Sequence, residues 1–150
     1  MDTTILSFEC CIVKGRMEGE AHLRGYLQKD PASNQVRILE HPGGDGKPIE
    51  TWYRTVKTDK AYTLLEVLLV TGRSHQIRAH LASLGHPILG DPKYGDPALN
   101  RSLEKEFGIR GQLLHAWRLE FPKLEGALSA LSERAFTAPE PETFRKLNLP

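Results

Sequence analysis

The sequence has 150 residues, 39% hydrophobic and 26% charged, which is typical of one globular domain with its own core. Its formal net charge of +1 excludes a uniformly basic nucleic-acid binder, so any affinity for nucleic acid must come from a local patch. No run of apolar residues approaches the length of a membrane span, and the start lacks the pattern of a signal peptide. We therefore expect a cytoplasmic protein.

The first predicted element is a strand from Ile5 to Val13, where the residues are apolar and favour β-structure. Cys10 and Cys11 are neighbours on this strand and should point to opposite faces of the sheet. That placement disfavours both a disulfide between them and a shared metal site. Two buried thiols are expected.

A hairpin is predicted next, with strands over Glu18–Gln28 and Gln35–Glu40. The intervening Asp, Pro and Asn residues are strong turn formers. Gly25 is expected to mark a bulge in the first of these strands. Residues 41–48 are rich in glycine but lack the spacing of a phosphate-binding P-loop, so they are interpreted as a loop before a strand over Ile49–Thr58.

The central segment begins with a strand over Ala61–Val70, dense in Leu and Val, followed by a glycine turn and a helix. Ser74 is a favourable N-cap, and Gly85 stands where a left-handed residue would end the helix. The predicted helix is therefore Ser74–Leu84.

The spacing of this helix predicts a buried stripe of Ile77, Leu81 and Leu84. His75 and Arg78 fall on the other side, so Arg78 is expected to point away from the core. A helix start beside an arginine suits a phosphate or a carboxylate, because the first backbone N–H groups and the positive end of the helix dipole lie there. An ordinary amphipathic helix with a solvated arginine accounts for the same pattern.

The remaining segments complete an α+β prediction. A short helix is expected over Leu99–Phe107, a half-buried strand over Gln112–Phe121, an edge strand over Arg134–Thr137, and a terminal helix over Pro139–Leu147. The predicted fold is a mainly antiparallel mixed sheet with a few packed helices. Asp91 lies in the turns after the central helix and is assigned a structural role, bonding nearby backbone N–H groups.

The string TGRSHQIRAHLASLGHPILGDPKYG at residues 71–95, with LLHAWRLEFP at residues 113–122, closely resembles the RluA-type RNA pseudouridine synthases. A weaker match at Cys11–Gly15 extends the resemblance over most of the chain. The resemblance implies one domain over residues 1–150, a C-terminal portion of the catalytic domain, in which residues 1–10 depart from the family. It also implies a cofactor-free isomerase that converts uridine to pseudouridine, with ribosomal or transfer RNA as its partner.

By this resemblance, Arg78 occupies the position whose guanidinium pairs with the catalytic aspartate, orienting that carboxylate and keeping it ionised. Leu114 is similar to the family residue that lines the base pocket, although ordinary strand core explains it equally well. Four further residues are candidates for contact with RNA or for local structure: Arg73, Ser74, His75 and His80. No metal site is expected, because the histidines of this segment do not converge as a ligand pair would.

Two features depart from the family pattern. Glu9 stands where the family has a tyrosine against the target base, and the family's His-Arg-Leu-Asp segment, which carries the catalytic aspartate, does not occur in the sequence. Arg78 is therefore expected to lack its carboxylate partner.

Two hypotheses follow from these departures. The chain is either part of a synthase that is active with a missing N-terminal half, or a non-catalytic module that binds RNA or a partner. A further variant has one of the remaining carboxylates replacing the aspartate. Because an incomplete sheet exposes an edge and an apolar face, self-association is also expected.

Overall fold

The computed structural model describes residues 5–72 and 75–147. Within these ranges seven strands form one sheet: β1 Leu6–Lys14, β2 Glu20–Asp30, β3 Gln35–Leu39, β4 Lys47–Thr58, β5 Tyr62–Leu69, β6 Leu114–Glu120 and β7 Ala135–Thr137. Three α-helices and a short 3-10 helix accompany them: α1 Gln76–Ser83, α2 Pro97–Phe107, α3 Glu142–Arg145 and the 3-10 helix Gly126–Leu131. The α+β prediction is confirmed.

The strands lie in the order β3-β2-β4-β5-β1-β6-β7, and each neighbouring pair is antiparallel. The predicted bulge at Gly25 is wrong, because β2 keeps regular register with both of its neighbours. Glycine instead allows a close approach to β3: a Cβ at Gly25 would lie 3.2 Å from the carbonyl oxygen of Leu39. The register of β1 and β6 shifts instead between Phe8 and Glu9.

The sheet has two differently covered faces. On one face, Cys11 packs with Ile77 and Leu81 of α1. On the other face, Cys10 packs against a cluster that contains Ile12 of β1 and Leu103 of α2. The opposite-face prediction for the two cysteines is confirmed, and both are free thiols, but Cys10 is only half-buried.

Helix α1 begins at Gln76, after His75, whose backbone is left-handed with φ 59°. The predicted N-cap, Ser74, lies outside the described residues. At the other end, Gly85 has φ 85° and the N–H of His86 donates to the carbonyl of Leu81, as the glycine termination signal predicts. The predicted burial of Leu84 is wrong, because this residue follows the last helical turn and is 43% exposed.

Strand β7 lies at the sheet edge, as predicted, and it pairs with β6. The predicted terminal helix is shorter than expected: α3 has four residues, and its Phe144 packs into the α2 cluster. None of the described helices has the length and apolarity needed to cross a membrane. The described residues also contain no group of three or more His, Cys, Asp or Glu side chains placed to hold a metal ion.

Candidate active site

A cavity of about 180 Å³ opens where β1, the end of β5, the start of α1 and the start of β6 meet. It is lined by Glu9, Leu69, Gly72, His75, Gln76, Ile77, Arg78 and Leu114. Three predicted site residues, His75 and Arg78 at the start of α1 and Leu114 at the start of β6, therefore share one cavity. A larger cavity of about 570 Å³ lies along the β2–β3 hairpin, but none of the predicted site residues lines it.

Gln76 anchors the start of α1 beneath this cavity. Its side-chain amide donates to Thr51 Oγ1 at 2.9 Å and to the carbonyl of Glu50 at 3.0 Å. Its Oε1 accepts from Thr71 Oγ1 at 2.8 Å. The helix start is thus tied to β4 and to the end of β5. The sequence analysis missed this residue, because a glutamine in a helix is usually solvated.

Arg78 is paired with a carboxylate of its own chain. Its Nε donates to Asp91 Oδ2 and its Nη2 to Asp91 Oδ1, both at 2.8 Å. The side chain of Arg78 is 12% exposed and that of Asp91 is fully buried. The expectation that Arg78 points away from the core is therefore wrong, because the turns after α1 bring Asp91 within reach of its guanidinium. That Arg78 lacks the catalytic aspartate of the family stays a prediction.

Asp91 is held ionised in this pair. Burial by itself would raise the pKa of Asp91, but the hydrogen bonds from Arg78 and the backbone outweigh it and lower the pKa below its usual range. The same contact with Asp91 raises the pKa of Arg78. Asp91 also accepts the backbone N–H groups of Lys93 and Tyr94, as its predicted structural role requires.

His75 stands at the rim of the cavity. Its Nδ1 lies 3.0 Å from the hydroxyl of Tyr94, which in turn accepts the backbone N–H of Val36 at 2.9 Å. Burial lowers the pKa of His75, and the positive charges of Arg78 and Lys93 add to the effect. These effects favour the neutral form of His75. The residue also has a left-handed backbone, a conformation often held at functional sites.

Comparisons with known proteins match this chain to one family. Residues 10–83 match the family model described as RNA pseudouridylate synthase. Ribosomal large subunit pseudouridine synthase D of Nitrosomonas europaea is 48% identical over 122 residues, which cover 78% of this chain and 33% of the relative. The chain belongs to the RluA-type family of RNA pseudouridine synthases.

Other relatives are named for different RNA substrates. Ribosomal large subunit pseudouridine synthase C of Vibrio cholerae is 32% identical over 120 residues, covering 80% of this chain and 37% of its own length. The tRNA pseudouridine synthase C of Salmonella typhi is 54% identical over 59 residues, covering 39% of this chain and 23% of its own. The two ribosomal synthases match most of this chain, but this chain spans only about a third of the length of either one.

Solved structures support the same fold. Human RNA pseudouridylate synthase domain containing 1 superposes with a TM-score of 0.69 at 20% identity, covering 93% of this chain and 56% of that one. Human RNA pseudouridylate synthase domain containing 4 gives 0.70 at 19% identity, covering 97% and 63%. The pseudouridine synthase architecture therefore extends over nearly all of this chain.

The other predicted site residues of this family member differ in their placement. His80 is 3% exposed, its Nδ1 lies 3.4 Å from Thr51 Oγ1, and burial lowers its pKa, so it is a core residue turned away from the cavity. Leu114 lines the cavity and also packs against the α1 cluster, and its contact with a base stays a prediction. Arg73 and Ser74 lie outside the described residues, between Gly72 and His75, which both line the cavity.

Glu9, the residue at the family's tyrosine position, lines the same cavity from β1. It is half-buried, and burial raises the pKa of its carboxyl against the opposing influence of His115. Sequence comparison flagged it only as a departure from a motif. Glu9 shares a cavity with Arg78 and Leu114 because β1 pairs with β5 and β6, which are distant from it in sequence.

Proposed function

We propose that this chain forms the uridine-binding part of an RNA pseudouridine synthase, and that polypeptide outside these 150 residues supplies the catalytic carboxylate. The observation that carries the proposal is the cavity at the start of α1, in which His75, Arg78 and Leu114 are gathered. Family membership supports the reaction type.

The chemistry suits a small enclosed site. Conversion of uridine to pseudouridine breaks the bond between N1 of the base and C1′ of the ribose, turns the base, and forms a bond from C5 to C1′. The C5 hydrogen is lost as a proton and N1 regains one. A paired base hides these atoms, so the nucleotide must leave the stack and enter a pocket. Leu69, Ile77 and Leu114 offer apolar walls for such a base.

Arg78 has capacity for a second carboxylate. A guanidinium carries five N–H donors, and Asp91 uses two of them. We assign Arg78 the role of positioning the incoming catalytic carboxylate while Asp91 holds its orientation. Arg73, between two cavity-lining residues in sequence, is assigned to contact with RNA phosphate.

The test is pseudouridine formation on ribosomal and transfer RNA. The chain is assayed alone and mixed with an N-terminal half of a curated relative that contains the His-Arg-Leu-Asp segment. Activity only in the mixture supports the proposal. Activity of the chain alone would show that one of its own carboxylates serves, and absence of activity in a mixture shown to associate would contradict the proposal.

A second function is favoured by one observation. Glu9 occupies the cavity where the family pattern has a tyrosine, which is compatible with a module that binds RNA without modifying it. In that case Arg73→Ala would weaken binding of the chain to RNA and reduce its salt dependence by about one counterion. Unchanged RNA affinity in this variant would count against the RNA-binding module.

The partners of the chain are proposed on the same basis. We assign it RNA and the remaining part of a synthase, with self-association when that part is absent. The cytoplasmic location expected from the sequence stays a prediction.

A further inference from the structure

Glu9 occupies a central and irregular position in the sheet. It lies on β1 between Val67 of β5 and Ala116 of β6. The register of the β1–β6 pair shifts immediately before it, between Phe8 and Glu9. The extra residue of this bulge is Trp117 of β6, whereas β1 keeps regular register with β5 through Glu9. Glu9 faces the α1 side, whereas its neighbours Phe8 and Cys10 line cavities on the opposite face.

The carboxylate of Glu9 has no hydrogen-bonding partner within the described ranges, although His115 acts on it electrostatically. It forms neither an ion pair nor a side-chain hydrogen bond with any residue there. Burying an unpaired carboxylate costs free energy, because the group loses contact with water without gaining a hydrogen-bond donor. The half-buried Glu9 carboxylate is in this unfavourable situation. Burial raises the pKa of Glu9, as expected of a carboxyl without a donor. The titratable groups around it include His115 on β6, Cys10 and Cys11 on β1, Arg78 on α1, and His75 just before α1.

The other polar side chains of the cavity already have partners. His75 contacts Tyr94, Gln76 contacts Thr51, and Arg78 holds Asp91. The remaining walls include Leu69, Ile77 and Leu114. Glu9 is thus a carboxylate acceptor that the described part of the cavity offers to a ligand, and such a ligand would bring a hydrogen-bond donor to it.

We propose that Glu9 is a base-binding residue whose carboxylate accepts the N3–H of a uracil ring held in this cavity. The identity of the base rests on the proposed function. Uracil presents an N–H donor at N3 between two carbonyl oxygens, whereas cytosine has a lone pair at N3 that an ionised carboxylate repels. Glu9 therefore favours uracil over cytosine. The tyrosine of the family pattern has no carboxylate to accept the N3–H, so it would not distinguish the two bases in this way.

The experiment is an NMR titration of the full chain with uridine 5′-monophosphate, following the methyl groups of Leu69 and Leu114 and the amide of Gly72. Because a hydrogen bond to a charged group is lost, Glu9→Ala should weaken binding by about tenfold or more. Glu9→Gln keeps an acceptor and should lose less. The matched control is Glu106→Ala, which removes an exposed carboxylate from α2.

The ligand is varied in parallel. 3-Methyluridine 5′-monophosphate lacks the N3–H, so it should bind wild type and Glu9→Ala equally and weakly, and cytidine 5′-monophosphate should bind wild type less tightly than the uridine nucleotide. The pKa of Glu9, read from its side-chain carboxyl shift, should fall when uridine 5′-monophosphate binds. A merely structural Glu9 would not respond in this way.

Each other outcome has a definite meaning. Equal binding of uridine 5′-monophosphate to wild type and to Glu9→Ala, with both chains folded, would overturn the role of Glu9 and leave the proposed function intact. Absence of shifts at the cavity residues of the wild type would also overturn it. The proposed function fails separately, if the reconstituted mixture forms no pseudouridine.

Discussion

At the residue scale, the pair of Arg78 and Asp91 is the most buried ion pair within the described ranges. Its two parallel hydrogen bonds compensate for the desolvation of both charges, which makes removal of one partner costly. Arg78 also lines the cavity. Its Nε and Nη2 groups stabilise the fold by binding Asp91, and its other N–H groups are the ones proposed to act toward the substrate.

We expect Arg78→Ala to destabilise the fold by about 3–5 kcal/mol, because Asp91 would be left buried and unpaired. Denaturant unfolding followed by circular dichroism measures the loss. Arg110→Ala is the control: Arg110 is 82% exposed and faces Glu104, so its removal should cost less than about 1 kcal/mol. Equal losses in the two variants would contradict this account of Arg78.

His80 makes the stability of the fold depend on pH. Burial lowers the pKa of His80 below the ordinary value of about 6.5, so the unfolded chain binds a proton more readily than the folded one. Stability should therefore fall as the pH decreases below that value. His75 acts in the same direction, and Glu9, whose pKa is raised, acts in the opposite one.

The measurement is the melting temperature between pH 7.5 and 5 for wild type and His80→Gln. The variant should lose part of the decline on acidification, whatever its melting temperature at pH 7.5. His41→Gln, in the exposed loop after β3, is the control and should follow the wild-type curve. A His80→Gln curve parallel to wild type would refute the assignment.

At the element scale, the turn after α1 determines where Asp91 lies. Asn100 of α2 clamps this turn: its Oδ1 accepts the N–H of Gly90 and its amide donates to the carbonyl of Asp91. Gly90 has φ 79° and approaches the backbone of Gly111. The turn therefore couples α1, α2 and the segment before β6.

Gly90→Ala should destabilise the fold by about 2–4 kcal/mol, because the new Cβ would combine left-handed strain with a severe overlap. That Cβ would lie 2.1 Å from the carbonyl oxygen of Gly111. Gly111→Ala is a matched control, since a Cβ there meets nothing within 4 Å. Chemical denaturation of both variants gives the comparison, and a Gly90→Ala chain as stable as Gly111→Ala would disprove it.

At the scale of the whole molecule, the sheet face opposite α1 is only partly covered. Two cavities of about 230 and 200 Å³ lie on it and share Arg54 and Glu66 in their walls. Trp52 and Val56 are each 43% exposed beside them, and Trp52 stacks on His22. An apolar area of this kind favours association with another polypeptide.

We expect the isolated chain to self-associate through this face at high concentration. Trp52→Arg combined with Val56→Lys should raise the concentration needed for association, because charged side chains would have to be desolvated. Sedimentation equilibrium measures the effect. Leu128→Lys, at an exposed leucine of the 3-10 helix, controls for added charge. If all variants associate as wild type does, another surface is responsible.

Several local features were predictable because their causes are local. A run dense in Leu and Val predicted β5, and alternating apolar residues predicted β6. Turn-forming residues predicted the β2–β3 hairpin, and Gly85 predicted the end of α1. The family motif also identified three residues that share the cavity, His75, Arg78 and Leu114.

The errors arose where the outcome depends on distant parts of the chain. Leu84 was assigned to the buried stripe from helical spacing, but the helix ends before it. Gly25 was interpreted as a bulge, but it lies close to the backbone of β3. Local sequence does not reveal which strand will pack beside it. Gln76 was missed because its partners, Glu50 and Thr51, are about 25 residues away.

The amino-acid sequence by itself determined the α+β class, the order of most elements, the family and the segment that carries its motif, since these depend on periodicity, turn chemistry and residue identity. Only the tertiary structure decided that Arg78 pairs with Asp91, that His80 is buried, and that Glu9 stands in the cavity without a hydrogen-bonding partner among the described residues. The physical reason is that hydrogen bonding and desolvation depend on which groups the antiparallel pairing and the turns bring together, and those groups are far apart along the chain.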